Sequence, residues 1–119
     1  MANVVVLFEV KPTKAGMQKY LDLAGMLKLM LSGFEGFLRA ERFTSLSEDG
    51  KLLSMNVWTD EGAVERWRNV VAHRMSQKEG REKLFEYYKI TVCSEIRFYT
   101  DTDRTQAPKD SNAFFEVGV

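Results

Sequence analysis

Residues 3–10 read Asn-Val-Val-Val-Leu-Phe-Glu-Val, β-branched or apolar at nearly every position. Such a run describes a strand with no face left for water. Side chains alternate along a strand, so Val4, Val6 and Phe8 point one way while Val5 and Leu7 point the other. A chain of 119 residues has room for one domain and one sheet of modest size. Helices on one side of that sheet would leave a second apolar face in water, at about 25 cal/mol for each Å². The open face is therefore expected to pack against the same face of a second copy, giving a symmetric homodimer.

The rest of the chain supplies the covering helices. Pro12 ends the first strand and Thr13 can cap a following helix, in which Met17, Tyr20, Leu21, Ala24, Leu27 and Leu31 recur at helical spacing. Leu23, Met26 and Met30 widen the stripe, with the three methionines at 17, 26 and 30 read as adaptable core filler. Ser32-Gly33 stops the helix. Phe37–Leu46 reads as a half-exposed strand, Glu48-Asp49-Gly50 as a turn, and Lys51–Trp58 as the returning strand. Thr59-Asp60-Glu61 marks a second helix start, with Thr59 as the capping hydroxyl, and helical character is predicted to about Glu86 with a break near Asn69–Ala72. Tyr88–Tyr99 is predicted as the last strand. The order βαββαβ is α+β and ferredoxin-like, a four-stranded antiparallel sheet with both helices on one face. The predicted domain covers residues 1–99, and residues 100–119 form a C-terminal arm. Thr100–Asn112 is polar and turn-rich, whereas Phe114, Phe115 and Val117 are apolar enough to be expected to dock on a surface, the partner chain included.

Charge and motif content exclude several functions. Lysine plus arginine is 17 and aspartate plus glutamate is 17, so there is no basic excess to attract nucleic acid or an anionic membrane. One cysteine, Cys93, rules out an internal disulfide, and one cysteine with one histidine rules out zinc-finger spacing. No run approaches the ~20 apolar residues that a membrane span needs. Glu9 interrupts the apolar N-terminus, so a signal peptide is not expected and the cytoplasm is the expected location. Flavin, nicotinamide and metal sites find no motif, so no cofactor is expected.

Candidate site residues concentrate in the second helix and the strand before it. At 100° per residue Glu79, Glu82, Lys83 and Glu86 share a solvated side, while Leu84 marks the opposite one. His73, Gln77, Gly80 and Arg81 share the arc of Leu84, where polar groups are costly unless bonded to one another or lining a cavity. His73, the single histidine, is either a hydrogen-bonded helix-edge residue or a general base, since its ordinary pKa is near neutrality. Arg81 either pairs with Glu41 or Glu95 or holds a carboxylate, phenolate or enolate oxygen. Trp58 and Trp67 are core residues or pocket walls. Asn56 shares a strand face with Trp58 and Ser54, opposite Leu53, Met55 and Val57, which makes it a substrate contact or a dimer contact. Tyr88 is placed to close the cavity.

The segment Trp67-Arg68-Asn69-Val70-Val71-Ala72-His73-Arg74, followed by Gln77, Gly80-Arg81, Tyr88-Lys89-Ile90-Thr91-Val92 and then Glu95, Arg97 and Tyr99, resembles the antibiotic biosynthesis monooxygenase family over residues 3–99. The resemblance implies a dimeric α/β barrel, two ferredoxin-like protomers with their sheets face to face and a pocket between sheet and helices in each. It implies three possible chemistries: cofactor-independent oxygenation of aromatic polyketides, heme degradation, and sugar-phosphate isomerisation. The polyketide oxygenases of the family carry a helix tryptophan, matched by Trp67. They carry a tyrosine near the position of His73 and an asparagine where this chain has Ala63. The heme-degrading branch has a first-strand asparagine where this chain has Phe8. The leading expectation is monooxygenation of a small phenol or hydroquinone by O₂, with His73 as base, Arg81 as anion partner and Trp67 orienting the ring. Substrate contacts would come from Asn56, Trp58, Gln77 and Tyr88. The alternatives are a non-catalytic protein that binds a hydrophobic metabolite or heme, and an isomerase.

Overall fold

Six elements follow one another as β1 (Val4–Pro12), α1 (Met17–Leu31), β2 (Phe37–Thr44), β3 (Leu52–Trp58), α2 (Glu61–Glu79) and β4 (Phe85–Ser94). The computed structural model describes residues 2–79 and 84–111. The strands form one antiparallel sheet in the order β2-β3-β1-β4, which puts the all-apolar strand in the interior. The βαββαβ order is the expected ferredoxin-like one. No helix among the described residues is long and apolar enough to cross a membrane.

Register assigns the two faces. Val4 lies opposite Trp58 and Ser94, Val6 opposite Asn56 and Val92, Phe8 opposite Ser54 and Ile90, and Val10 opposite Leu52 and Tyr88. These residues face the helices; Val5, Leu7, Glu9, Leu53, Met55 and Val57 face the other way. In β2 the register shifts between Phe37 and Arg39, so Ala40, Arg42 and Thr44 join the helix side although Phe37 is already there. A bulge of this kind inserts one residue and reverses the alternation beyond it.

At α1 the N-cap is Gly16 with no side-chain cap bond, so Thr13, expected to cap the helix, instead closes the turn before it. The Gly16 N–H donates to Thr13 Oγ1 at 2.8 Å, and the Thr13 N–H donates to the Leu84 carbonyl at 2.9 Å, joining the entry of α1 to the entry of β4. At α2 the cap is Asp60 rather than the expected Thr59: Asp60 Oδ1 accepts the Ala63 N–H at 2.8 Å, and the Thr59 hydroxyl donates to Asp60 Oδ2 at 3.1 Å. The carboxylate accepts more strongly than a hydroxyl and sits at the positive end of the helix dipole. The predicted break at Asn69–Ala72 is absent, because Val70 and Val71 pack onto the core and hold α2 continuous to Glu79. β4 begins at Phe85 and ends at Ser94, earlier at both ends than predicted. Just beyond it the Glu95 N–H donates to the Asn3 carbonyl at 2.8 Å.

The described part of the C-terminal arm folds on itself. Arg104 lies over the Tyr99 ring at 5.1 Å and donates to the Thr100 carbonyl at 2.9 Å and to Ser111 Oγ at 2.7 Å. Phe114, Phe115 and Val117, expected to dock on a surface, lie outside the described residues.

Two tests follow from the helix entries. Gly36 has φ +87°, and a Cβ built there would overlap the Cβ of Ala63, whereas Gly50 at φ +77° faces open space. Gly36→Ala should lower the urea-unfolding free energy by about 2–4 kcal/mol, left-handed strain plus overpacking, while Gly50→Ala should lower it by about 1 kcal/mol from strain alone. The Ala63 N–H, and secondarily the Thr59 hydroxyl, hold the Asp60 carboxyl below its ordinary value. A depressed folded-state pKa stabilises above the unfolded pKa and is lost as pH falls through the folded one. The melting temperature of Asp60→Asn should therefore lie below that of the parent at pH 7, and the gap should narrow below about pH 4.

Candidate functional site

The helices close the two ends of the sheet and leave its middle open. At one end Trp58, Val4, Leu31, Ala63 and Trp67 form a buried cluster, with Phe34 and Phe37 packed on it. Phe34 and Trp67 meet edge-on at 5.2 Å, Phe37 and Trp58 at 5.4 Å, and the two indoles at 6.1 Å. At the other end Val10, Tyr20, Leu84 and Phe85 form a second cluster, with Tyr20 edge-on to Phe85 at 5.6 Å. Between them Val6, Phe8, Ser54 and Asn56 face the helices yet are only half-buried, and on β4 Ile90 and Val92 stay 53% and 50% exposed. Val6 packs against the first cluster and Phe8 against the second, so the strip of sheet around Ser54 and Asn56, flanked by the aromatic clusters, is taken as the candidate cleft.

Its floor carries an ordered polar row. The Trp58 indole N–H donates to Asn56 Oδ1 at 3.3 Å, and Asn56 Nδ2 donates to Ser54 Oγ at 3.5 Å. The indole is fully buried and would lack a partner without Asn56. The row therefore fixes the amide: its oxygen is occupied by Trp58, and one amide N–H remains available to the cleft. Across β2, Arg42 lies opposite Ser54 in the register. Burial pushes the Tyr20 phenol above its ordinary value, and the positive charge of Arg42 draws it partway back.

The candidates on α2 are placed differently from expectation. The buried and half-buried stripe of this helix runs through Ala63, Trp67, Val70, Val71 and Arg74. His73 is exposed, and at 100° per residue it sits about 120° around the helix from Trp67. The expected arc took its phase from Leu84, but Leu84 lies beyond the end of α2 and is buried at the entry to β4. Gln77 falls in the last turns of α2, and Gly80 and Arg81 lie outside the described residues. Tyr88 does face the helix side, against Phe8 and Phe85 at 6.1 and 6.0 Å, but it is 58% exposed and leaves the cleft open along β4. Trp67 is a wall of the first cluster. Trp58 reaches the cleft through Asn56 alone.

Two participants escaped sequence reasoning in this role: Tyr20 and Arg42. Tyr20 reads as one more apolar helix position, and the β2 bulge hides the face of Arg42. Only the indole bond of Trp58 gives Ser54 and Asn56 a direction. Among the described residues no group of three His, Cys, Asp or Glu side chains could hold a metal ion. On the opposite face, a shallow hollow of about 340 Å³ is lined by Leu7, Phe43 and Leu53 and by the Lys51–Glu9 ion pair at 3.3 Å. It contains none of the cleft residues and belongs to the face expected to meet a second copy.

Comparison with known proteins agrees with this architecture. The fold is similar to Rv0793 from Mycobacterium tuberculosis, with a TM-score of 0.70 and 15% identity over 83% of this chain and all of that one. It is similar also to SnoaB, a cofactor-independent oxygenase from Streptomyces nogalater, with a TM-score of 0.63 and 13% identity over 82% of this chain and 97% of that one. In sequence the chain is 37% identical over 87 residues to the jasmonate monooxygenase ABM of Pyricularia oryzae, a match spanning 73% of this chain and 40% of the relative's length. Residues 1–79 match the family described as antibiotic biosynthesis monooxygenase, and they hold both helices, the first three strands and the whole polar row. This chain belongs to the antibiotic biosynthesis monooxygenase family.

Proposed function

We propose that the protein is a monooxygenase that oxidises a small electron-rich phenol or hydroquinone in the cleft between its helices and its sheet. The observation that carries this reading is the Trp58–Asn56–Ser54 row, which turns an amide N–H and a hydroxyl toward a cleft with aromatic walls. Such donors favour the phenolate over the phenol and are worth more in a partly dry cleft than in water. A phenolate is electron-rich enough to pass one electron to O₂. Recombination at a free ring carbon, para in a phenol and ortho in a hydroquinone, then forms the new C–O bond, and cleavage of the O–O bond releases water. A phenol plus O₂ yields a para-quinone plus H₂O, and the substrate supplies all four electrons. The relative from Pyricularia oryzae is named for jasmonate, which makes jasmonate a second compound to assay.

The cleft is proposed to work in a homodimer. Val5, Leu7, Leu53 and Met55, half-buried in the single chain, make the face of the sheet away from the helices apolar. A second copy would bury it, with an interface above ~1,200 Å² in total.

Two outcomes test these statements. Asn56→Ala should lower kcat/KM for a phenol or quinol by ~10²–10³-fold, the usual effect of losing one donor to a developing anion. His73→Ala, on the exposed side of α2, should change it by no more than about twofold, in line with surface substitutions worth ~0.5 kcal/mol. A large loss in His73→Ala with none in Asn56→Ala would reassign the chemistry to the helix. A Soret band on heme titration without oxygen consumption would replace catalysis by binding. For the assembly, sedimentation velocity should give a dimer at micromolar concentration, and Leu7→Lys should give a folded monomer. A monomeric parent chain would remove the dimer.

A further inference from the structure

The helix side of the sheet carries one charge. Glu9, Lys11, Arg39, Glu41 and Lys89 fall on the open face by register, and Glu86 pairs with Lys11 at 3.8 Å, so Arg42 is the charge turned toward the helices among the described strand residues. It has no ion pair or hydrogen bond with a described residue, whereas its neighbour Arg39 pairs with Glu41 at 3.8 Å. On α2 the half-buried Arg74 adds a second positive charge to the inward stripe.

Around Arg42 the uncharged polar groups are also oriented as donors. Asn56 spends its oxygen on Trp58 and donates to Ser54, so the Ser54 hydroxyl hydrogen points away from Asn56. Arg42, opposite Ser54, can donate and cannot accept. Two cations and no facing carboxylate among the described residues would repel a cation and favour an anion.

We propose that Arg42, with Ser54 opposite it, anchors the carboxylate of an acidic substrate at the β2 edge of the cleft, while its electron-rich ring lies along Asn56. This rests on the cleft being the substrate site and narrows the substrate class to phenolic or enolic carboxylic acids. The carboxylate is a spectator in the oxidation. Its bond to the guanidinium fixes which end of the molecule enters, and the exposure of Arg42 lets that end keep part of its hydration.

Quenching of Trp58 and Trp67 fluorescence by hydroxyphenylpropionate and by its methyl ester tests the anchor directly. The parent chain should bind the acid ~10-fold more tightly than the ester, the scale of one charge-assisted hydrogen bond. Arg42→Gln should abolish that preference and leave the ester's affinity unchanged, and Arg42→Lys should restore part of it. Acid and ester binding alike, with Asn56→Ala weakening both, would overturn the anchor and leave the cleft as the substrate site. If neither compound quenches the indoles and Asn56→Ala oxidises phenols as the parent does, the anchor and the cleft reading fall together.

Discussion

The position of β1 in the interior of the sheet is the constraint on which the rest of the structure depends. Paired with β3 on one side and β4 on the other, it has no edge, and its two apolar sets commit the sheet to being covered twice. One cover comes from the chain's own helices. The other is proposed to come from a second copy, since the face away from the helices carries Val5, Leu7, Leu53 and Met55. The register that β1 imposes on β3 sends Ser54, Asn56 and Trp58 to the helix side in a single row.

That row sits where the helices do not close. Large aromatic residues crowd the two ends, with Phe34, Phe37, Trp58 and Trp67 at one and Tyr20 and Phe85 at the other. The middle offers Ser54 and Asn56 on the floor and Ala24 on α1. The polar groups there are tolerable because each bonds along the row. Buried packing is concentrated at the ends, and the chemistry is proposed for the middle. The indole of Trp58 joins the two by anchoring the amide from inside the core.

Much of this could be read directly from residue order. The strand–helix alternation, the two-faced first strand, the grouping of Asn56 with Ser54 and Trp58, and the family resemblance around Trp67 all follow from patterns of period 2 or 3.6 or from short motifs. His73 sits differently from expectation for a physical reason. Leu84 is buried, as its character demands, but by a strand entry and not by the helix, so a phase measured from it turned His73 inward when the packed stripe of Trp67, Val70 and Val71 turns it out.

Sequence alone determined the elements, their order and the need for cover on both faces of the sheet, because these rest on local alternation and on the free energy of exposing apolar surface. It could not determine which charges share the cleft. That depended on a one-residue bulge in β2, which reversed the alternation after Phe37 and turned Arg42 toward the helices instead of Arg39 and Glu41. Pairing register and helix placement are settled by contacts between residues far apart in the chain, and a one-residue shift that leaves the sequence pattern nearly unchanged exchanges the two faces of a strand.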